Sequence, residues 1–597
     1  MNRSLLIACG ASLPLLLTSC GKPQKSRPNV LLILTDDQGW GDFGFNGNAD
    51  IRTPVLDSLQ SISSHLTNFY VSPLSATTRA GILTGRDHLR TGALGVTRAA
   101  ENMSSDEVTL AEVLAQSGYR TGCFGKWHNG AYHPNDALGQ GFEEFVGFNG
   151  GHMANYFDTE LQHNRSKIRS EGYITDYLTD RAIEFIDNCK DENFFCYLPY
   201  NAPHAPIQVP EEFYSNYKHL QSDPNDITPG VYAMCENIDY NVGRMLEYLE
   251  HEGLLDNTIV IYTTDNGPKN LRYNGDMRGC KGHLYEGGIK VPCLIYWQGR
   301  TLPVEVDATL SYIDIMPTIL SMCDIEHSGD SERRVNGINF RSLLFGESQP
   351  SLGDKLRDRY LFTHKSQSDS ELSDYQCVMF NSEYKLVHNY PGSYELYNKL
   401  SDASEQCDVA SQYEDIVSQM RAEMDEWFED VTVEYEHNSS HMPQVGQIDV
   451  PILIPAHEAI INGGMVHYNA NKWGWAGDWL VDVSPGDKIS WVVRIVSDGT
   501  YRLSVQYALE PSDDVVKASI RNLREEPVEL PAFIPTQVES PDIVPRGVAY
   551  EQSWAIEPLC EVHLERGEEL FQLDISSQNG AKIVKGLAVK GFLIEKI

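Results

Sequence analysis

Two acidic or amide pairs follow apolar runs in this chain: Asp36-Asp37 after Asn29 to Leu34, and Asp265-Asn266 after Ile259 to Tyr262. Together their oxygens could gather around a hard divalent cation, although either pair alone has the composition of a cap or a turn. Between them lies Ser75-Ala76-Thr77-Thr78-Arg79-Ala80-Gly81-Ile82-Leu83-Thr84-Gly85, a hydroxyl-rich turn that by itself reads as the start of a helix. Three further blocks add cations and imidazoles: Gly125-Lys126-Trp127-His128, Asn201-Ala202-Pro203-His204, and Arg278-Gly279-Cys280-Lys281-Gly282-His283-Leu284-Tyr285-Glu286-Gly287-Gly288. A lone histidine is more often a structural hydrogen-bond partner than a catalyst, so the weight lies in the set. Fixed positive charges and a metal can hold an anionic ester, and an imidazole can meet the charge that develops on its leaving oxygen.

The block from Ser75 to Gly85 resembles the signature of the formylglycine-dependent sulfatases of the alkaline phosphatase superfamily. There a Cys or Ser is followed two residues later by Pro or Ala, then by Arg, then by a Thr-Gly end; this chain departs at Thr77. The other blocks are similar to that family's and stand in its order over roughly residues 29–410, closing with Asp314-Ile315-Met316-Pro317-Thr318 and Glu395-Leu396-Tyr397-Asn398. The resemblance implies an aldehyde made from Ser75, whose hydrate attacks sulfur with one hydroxyl and ejects sulfate with the other. It implies one calcium ion on Asp36, Asp37, Asp265, Asn266 and converted Ser75. Arg79, Lys126 and Lys281 are assigned to the sulfate, His128 with Lys126 to orienting the hydrated aldehyde, and His204 to protonating the leaving oxygen. A serine at this position implies an anaerobic radical-type maturase acting before or during export.

The substrate so implied is a small sulfated carbohydrate, attacked from its end, in the degradation of host or algal glycans. Arg98, His133, His152, Arg272 and His283 are candidate sugar contacts because they lie near the blocks and can hydrogen-bond hydroxyls. Two other readings stay open from the residues. One is a phosphodiesterase or phosphonate hydrolase of the same superfamily, with unmodified Ser75 or Thr77 attacking phosphorus; the Asp-Asn pair, with no Asp-x-x-x-His cluster after it, favours one hard cation and sulfate. The other is an inactive glycan-binding lipoprotein, for which Trp473, Trp475 and Trp479 would supply stacking faces.

Positioning such blocks calls for buried strands that end together. Asn29 to Leu34, Phe194 to Leu198 and Ile259 to Tyr262 are continuous apolar runs of the kind buried on both faces of a largely parallel sheet, with helical patterns at Val108 to Ser117 and Thr175 to Cys189 between them. The expected fold is α/β, a large mixed central sheet flanked by helices as in alkaline phosphatase, over residues 21–355. A small α+β subdomain follows over 356–435, with strands at Tyr360 to Thr363, Cys377 to Phe380 and Tyr384 to His388 and a helix from Ile416 to Phe428. A polar, Pro-containing linker spans 436–454, and alternating runs such as Lys488 to Val496 predict a β-sandwich over 455–597.

The 597 residues carry a formal net charge of -37, which repels a nucleic-acid backbone and disfavours a long polyanion lying across the surface. An anionic group must therefore enter a locally basic pocket. At the N-terminus, Arg3, an apolar stretch from Leu5 to Leu17, and Leu17-Thr18-Ser19-Cys20-Gly21 read as a signal segment (1–20) too short to span a bilayer, and the last five resemble a bacterial lipobox. That resemblance implies lipidation of Cys20 and a protein held at the periplasm or cell surface by its lipid alone. Of the 12 cysteines, the ten beyond this segment show no CxxC spacing and read chiefly as small buried residues.

Overall fold

The computed structural model describes residues 27–327, 333–366, 372–438, 442–447, 450–463, 467–468, 479–523, 526–546, 550 and 552–597. Cys20, Trp473, Trp475 and parts of the 436–454 segment lie outside the described residues. Strands β1 (Asn29–Thr35), β2 (Ser64–Tyr70), β3 (Arg120–Lys126), β4 (Glu144–Phe148), β5 (Glu160–His163), β6 (Ser166–Arg169), β7 (Phe194–Pro199), β8 (Thr258–Thr264), β9 (Lys290–Tyr296), β10 (Glu305–Val306) and β11 (Leu310–Ser311) form one mixed sheet. Its order is β10-β2-β9-β8-β1-β7-β3-β4-β5-β6, with β11 also on β2. Strands β8, β1, β7, β3 and β4 run parallel, and β9 lies antiparallel between β8 and β2.

All seven residues of β1 are buried. Val30, Leu32 and Leu34 enter a core shared with the helices Ser75–Thr84, Leu110–Gln116 and Ile315–Met322, while Leu31 and Ile33 enter the opposite core with Pro54–Ile62, Ile174–Asn188 and Thr228–His251. Side chains alternate between two covered faces, which is why the strand reads as one unbroken apolar run.

A four-stranded antiparallel sheet, Leu361–His364, Cys377–Phe380, Tyr384–Tyr390 and Ser393–Asn398, follows and packs Met379, Leu386 and Leu396 against Met420 and Met424 of the helix Glu414–Asn438. That helix outruns the expected Ile416 to Phe428. Its far end packs Val431 against Leu89 and Leu94, flanked by Trp427 and Tyr435, and is also held by ion pairs from Arg90 to Asp430 and from Arg86 and Arg90 to Glu434. The subdomain is joined to the main sheet by the buried Lys385, which lies 3.1 Å from Glu286 and 2.7 Å from Glu405.

Beyond it two six-stranded sheets face each other across a core that includes Trp491, Tyr501, Leu503, Phe571 and Phe592. Trp491 stacks on Phe592 with ring centroids 5.1 Å apart, so this tryptophan is spent on packing. The chain enters the sandwich at Gln444–Val445, inside the expected 436–454 linker, where it pairs parallel with Arg494 and Ile495, and Ile452–Pro455 then pairs antiparallel with Leu587–Lys596. The sandwich docks on the α/β unit through Ile543 and Val544, and the Ile543 N–H donates to the Ile207 carbonyl at 3.0 Å. Among the described residues no helix is long and apolar enough to cross a membrane, and the ten cysteines are free thiols, seven of them buried.

Candidate active site

The parallel strands deliver their functional residues at their carboxyl ends, where open α/β sheets leave a crevice. Asp36-Asp37 leave β1, Asp265-Asn266 leave β8, Lys126 closes β3 with His128 just beyond, and His204 follows β7. Ser75 opens the helix Ser75–Thr84 after β2, and the N-cap Leu74 contributes no side-chain cap. Thr77, the departure from the family signature, is satisfied within this turn: its hydroxyl donates to the Leu74 carbonyl at 2.8 Å and lies 2.6 Å from Ser72 Oγ. Asp37 (φ 65) and His128 (φ 61) occupy the left-handed region, which non-glycine residues adopt at a cost and which here aims both side chains inward. Gly151 is needed beside them, because a Cβ there would sit 2.2 Å from His128 Nε2.

Around Ser75 the geometry is tight. Its Oγ donates to Asp265 Oδ2 at 2.5 Å and accepts from Arg79 Nε at 2.9 Å. Arg79 is fully buried; its other nitrogens donate to Asp265 Oδ2 at 2.9 Å and to the Lys126 carbonyl at 2.8 Å. His128 Nδ1 lies 3.2 Å from Ser75 Oγ, and its Nε2 lies 2.9 Å from the Val96 carbonyl. A carbonyl only accepts, so Nε2 carries the proton and Nδ1 presents a lone pair to Ser75. Burial, and then the charge of Lys126, holds His128 well below the usual imidazole range and therefore neutral. One serine proton thus faces two acceptors, Asp265 Oδ2 and His128 Nδ1.

The acidic residues close the other side. Lys126 pairs with Asp36, and Lys281 Nζ donates to Asp37 Oδ1 at 2.5 Å. Asn266 Nδ2 donates to Asp37 Oδ1 at 2.8 Å, and the Asp37 N–H donates to Asp265 Oδ1 at 3.2 Å. Burial and the charge of Asp36 raise Asp265 above the usual carboxylate range, with Arg79 opposing. Burial acts the same way on Asp37, but Lys281 and His204 outweigh it and hold that carboxyl far below the usual range.

Among the described residues, three buried oxygens here, Asp36 Oδ1, Asp37 Oδ2 and Asn266 Oδ1, find no hydrogen-bond partner. Asp36, Asp37 and His204 present ligand atoms within 4.8 Å of one another. Each buried acceptor without a donor costs about 1–3 kcal/mol, a penalty that a cation among them removes. Hard oxygens with no thiolate nearby fit a divalent ion of the calcium or magnesium type.

His204 Nδ1 lies 2.7 Å from the Ala205 carbonyl, which leaves Nε2 facing the site, 3.8 Å from Asp37 Oδ2. Burial pushes this imidazole down to about 3 against the pull of Asp37. His152 packs beside it with ring centroids 5.4 Å apart. The other sequence-derived candidates have their own attachments. Arg272 donates through Nε to Asp42 Oδ1 at 2.7 Å and through a terminal nitrogen to the Asp37 carbonyl at 3.1 Å, so it braces the backbone behind the acidic pair. His133 pairs with Asp136 at 3.2 Å, and His283 Nδ1 accepts from the Cys280 N–H at 3.1 Å within its own turn. Arg98 (φ 58) lies on the loop beyond Val96. Asp42, Arg272's partner, carries no sequence signal, and neither does the Val96 carbonyl that fixes the tautomer of His128.

Comparison with known proteins bears directly on this site. Residues 28–325 match the family model described as Sulfatase. The chain is 30% identical over 386 residues to human N-acetylgalactosamine-6-sulfatase, covering 58% of this chain and 69% of that protein. The chain belongs to the sulfatase family. It is also 28% identical over 485 residues to the uncharacterized sulfatase YdeN of Escherichia coli (strain K12), covering 68% of this sulfatase and 86% of that one. Among solved structures it is similar to Ps i-CgsB in complex with k-i-k-neocarrahexaose, at 26% identity and a TM-score of 0.62, covering 70% of this chain and 98% of that one.

As a sulfuric ester hydrolase, this sulfatase must admit an anion into a protein of net charge -37. Its site meets that need locally. Asp36, Asp37 and Asp265 are matched one for one by Arg79, Lys126 and Lys281, so any bound cation leaves the pocket net positive while the surface stays acidic.

Proposed function

We propose that this sulfatase removes sulfate from a terminal sulfated sugar by means of a hydrated formylglycine made from Ser75, with one calcium ion held by Asp36, Asp37, Asp265 and Asn266. The observation that carries the reading is the single serine proton between two acceptors, Asp265 Oδ2 and His128 Nδ1. A hydrated aldehyde supplies two geminal hydroxyls, one to attack sulfur and one to expel sulfate. Asp265 and neutral His128 then each accept one hydroxyl proton, and Arg79 Nε fixes the attacking oxygen. Calcium supplies countercharge to the clustered carboxylates and polarises the sulfate oxygens. With that countercharge in place, Lys126 and Lys281 no longer serve Asp36 and Asp37 alone and can hold sulfate oxygens. His204 is neutral in the free enzyme, and an arriving sulfate monoester raises its proton affinity. Nε2 then takes a proton from solvent, and the resulting imidazolium gives that proton to the bridging oxygen as the O–S bond breaks.

Sulfated sugar as the substrate class is supported by the human relative's name and by the carrageenan-type oligosaccharide bound to Ps i-CgsB. Attack at a terminal sugar is supported by the acidic surface, which disfavours a long polyanion. The lipobox-like residues around Cys20 support a lipid-anchored protein at the periplasm or cell surface, with a maturase converting Ser75 before or during export. The test is a panel of sulfated mono- and disaccharides of defined sulfate position beside the matching phosphate esters. Sulfate release with negligible phosphate release is expected; faster phosphate release would favour the phosphodiesterase alternative.

A further inference from the structure

The sandwich reaches the catalytic loops at a defined place. Tyr132, four residues past His128, packs against the sandwich core and donates its hydroxyl to Glu458 Oε1 at 2.9 Å. The catalytic side of this contact is tied to the nucleophile helix, because Asn129 Nδ2 donates to the Ala76 carbonyl at 2.8 Å and the Glu101 carbonyl at 3.4 Å, and His128 bonds the Val96 carbonyl. On the sandwich side, Glu458 lies on the short turn Ala456–Glu458, which directly follows Pro455. Pro455 pairs with Gly591, and Leu480 pairs with Val589 of the same strand. Register alone therefore brings His457, Trp479 and Lys590 to the end of the sheet that faces the catalytic loops.

Trp554 completes the cluster. The rings of Trp479 and Trp554 lie 5.2 Å apart at 65°, with Lys590 Nζ 6.0 and 5.9 Å from their centroids. Both rings are partly exposed, unlike Trp491 in the core. Two partly exposed indoles set at an angle suit the C–H face of a sugar, and an ammonium beside them suits an anionic substituent on that sugar. Lys590 and Arg98 both bear on His457, which burial has already pushed down to about 3, while the acidic Glu101 and Glu458 lie beside Tyr132 at the same boundary.

We propose that Trp479, Trp554 and Lys590 form a subsite for a second sulfated sugar ring, the neighbour of the sugar that loses its sulfate. The proposal rests on the sulfated-sugar reading above and makes the sandwich part of substrate recognition.

The test uses the full chain carrying unconverted Ser75, so that binding is read without turnover. Calorimetry compares chondroitin 6-sulfate and ι-carrageenan tetrasaccharides with their sulfated monosaccharides. At least one tetrasaccharide is expected to bind roughly tenfold or more tighter than its monosaccharide, the scale of an aromatic anchor. Trp554→Ala and Lys590→Gln should each remove most of that gain and leave monosaccharide affinity and melting temperature unchanged, while Trp554→Phe keeps it. Equal tetrasaccharide and monosaccharide affinity in the parent protein, a gain that survives Lys590→Gln, or equal loss of both affinities would overturn the subsite. Sulfate release by converted enzyme is measured alongside: tight binding with no release would count against the hydrolytic reading and not against the subsite.

Discussion

Replacing Arg79 with lysine keeps the charge and removes the fork. Three guanidinium nitrogens now reach Ser75 Oγ, Asp265 Oδ2 and the Lys126 carbonyl at 2.8–2.9 Å in a fully buried setting. A lysine ammonium is a point charge on a flexible stem and cannot span these acceptors with the same geometry. Losing two charge-assisted bonds at about 1.5–3 kcal/mol each removes about 3–6 kcal/mol, divided between folding and the transition state. Because one of the lost contacts fixes the attacking oxygen, kcat should fall on the order of 10²–10³-fold, the cost of losing a preorganised donor. The assay is kcat and KM on the best sulfated sugar together with calorimetric melting, for R79K, Asp265→Asn and the double variant. Since Arg79 and Asp265 share one oxygen, the double variant should fall short of the sum of the singles by about 1 kcal/mol or more. An R79K enzyme with kcat within about twofold of the parent, or a strictly additive cycle, would refute the reasoning.

Chelation should abolish sulfate release and lower the melting temperature, and calcium should restore both. At calcium 100-fold above its Kd the folded state gains about 2.7 kcal/mol, so the melting curve must move during titration. Full activity and an unmoved melting curve in chelator would remove the metal from the account. At the domain boundary, burial and the nearby Glu101 push Glu458 from 4.5 up to about 8. Its folded value exceeds its unfolded one, so this contribution to stability is complete below about 4.5 and is lost as pH rises through about 8. Melting temperature should therefore decline more steeply across that window in the parent than in Glu458→Gln; identical slopes would show that Glu458 does not titrate in this way.

The fold and much of the site were legible because burial on two faces leaves an unmistakable record. The runs at Val30 to Leu34, Phe195 to Leu198 and Ile259 to Tyr262 lie side by side in register, and their carboxyl ends carry the polar pairs that the sequence set apart. Family-like spacing nominates Ser75, Arg79, Lys126, His128, His204 and Lys281 as one set. What escaped the sequence depends on contacts between distant segments. Arg272 looks like any basic residue near a motif until Asp42, some 230 positions away, engages it. The last turns of Glu414–Asn438 pack Val431 on Leu89 and Leu94 and are also held by Arg86 and Arg90, partners some 340 positions away that periodicity does not name. Backbone groups such as the Val96 carbonyl leave no trace in residue identity, yet they determine which nitrogen of His128 faces the nucleophile. Likewise, alternation predicted the sandwich strands but could not separate Trp491, packed in the core, from Trp479, partly exposed beside Trp554.

The most direct test of the central claim is mass spectrometry of the peptide containing Ser75, taken from natively produced and active enzyme. Conversion of the alcohol to the aldehyde removes two hydrogens from that residue, and the proposed mechanism needs the second hydroxyl of the hydrated aldehyde to expel sulfate. The account predicts that this mass loss is present and that specific activity rises in proportion to the converted fraction, with protein made without a maturase folded but inactive. Fully active enzyme carrying an unmodified serine at position 75 would contradict it.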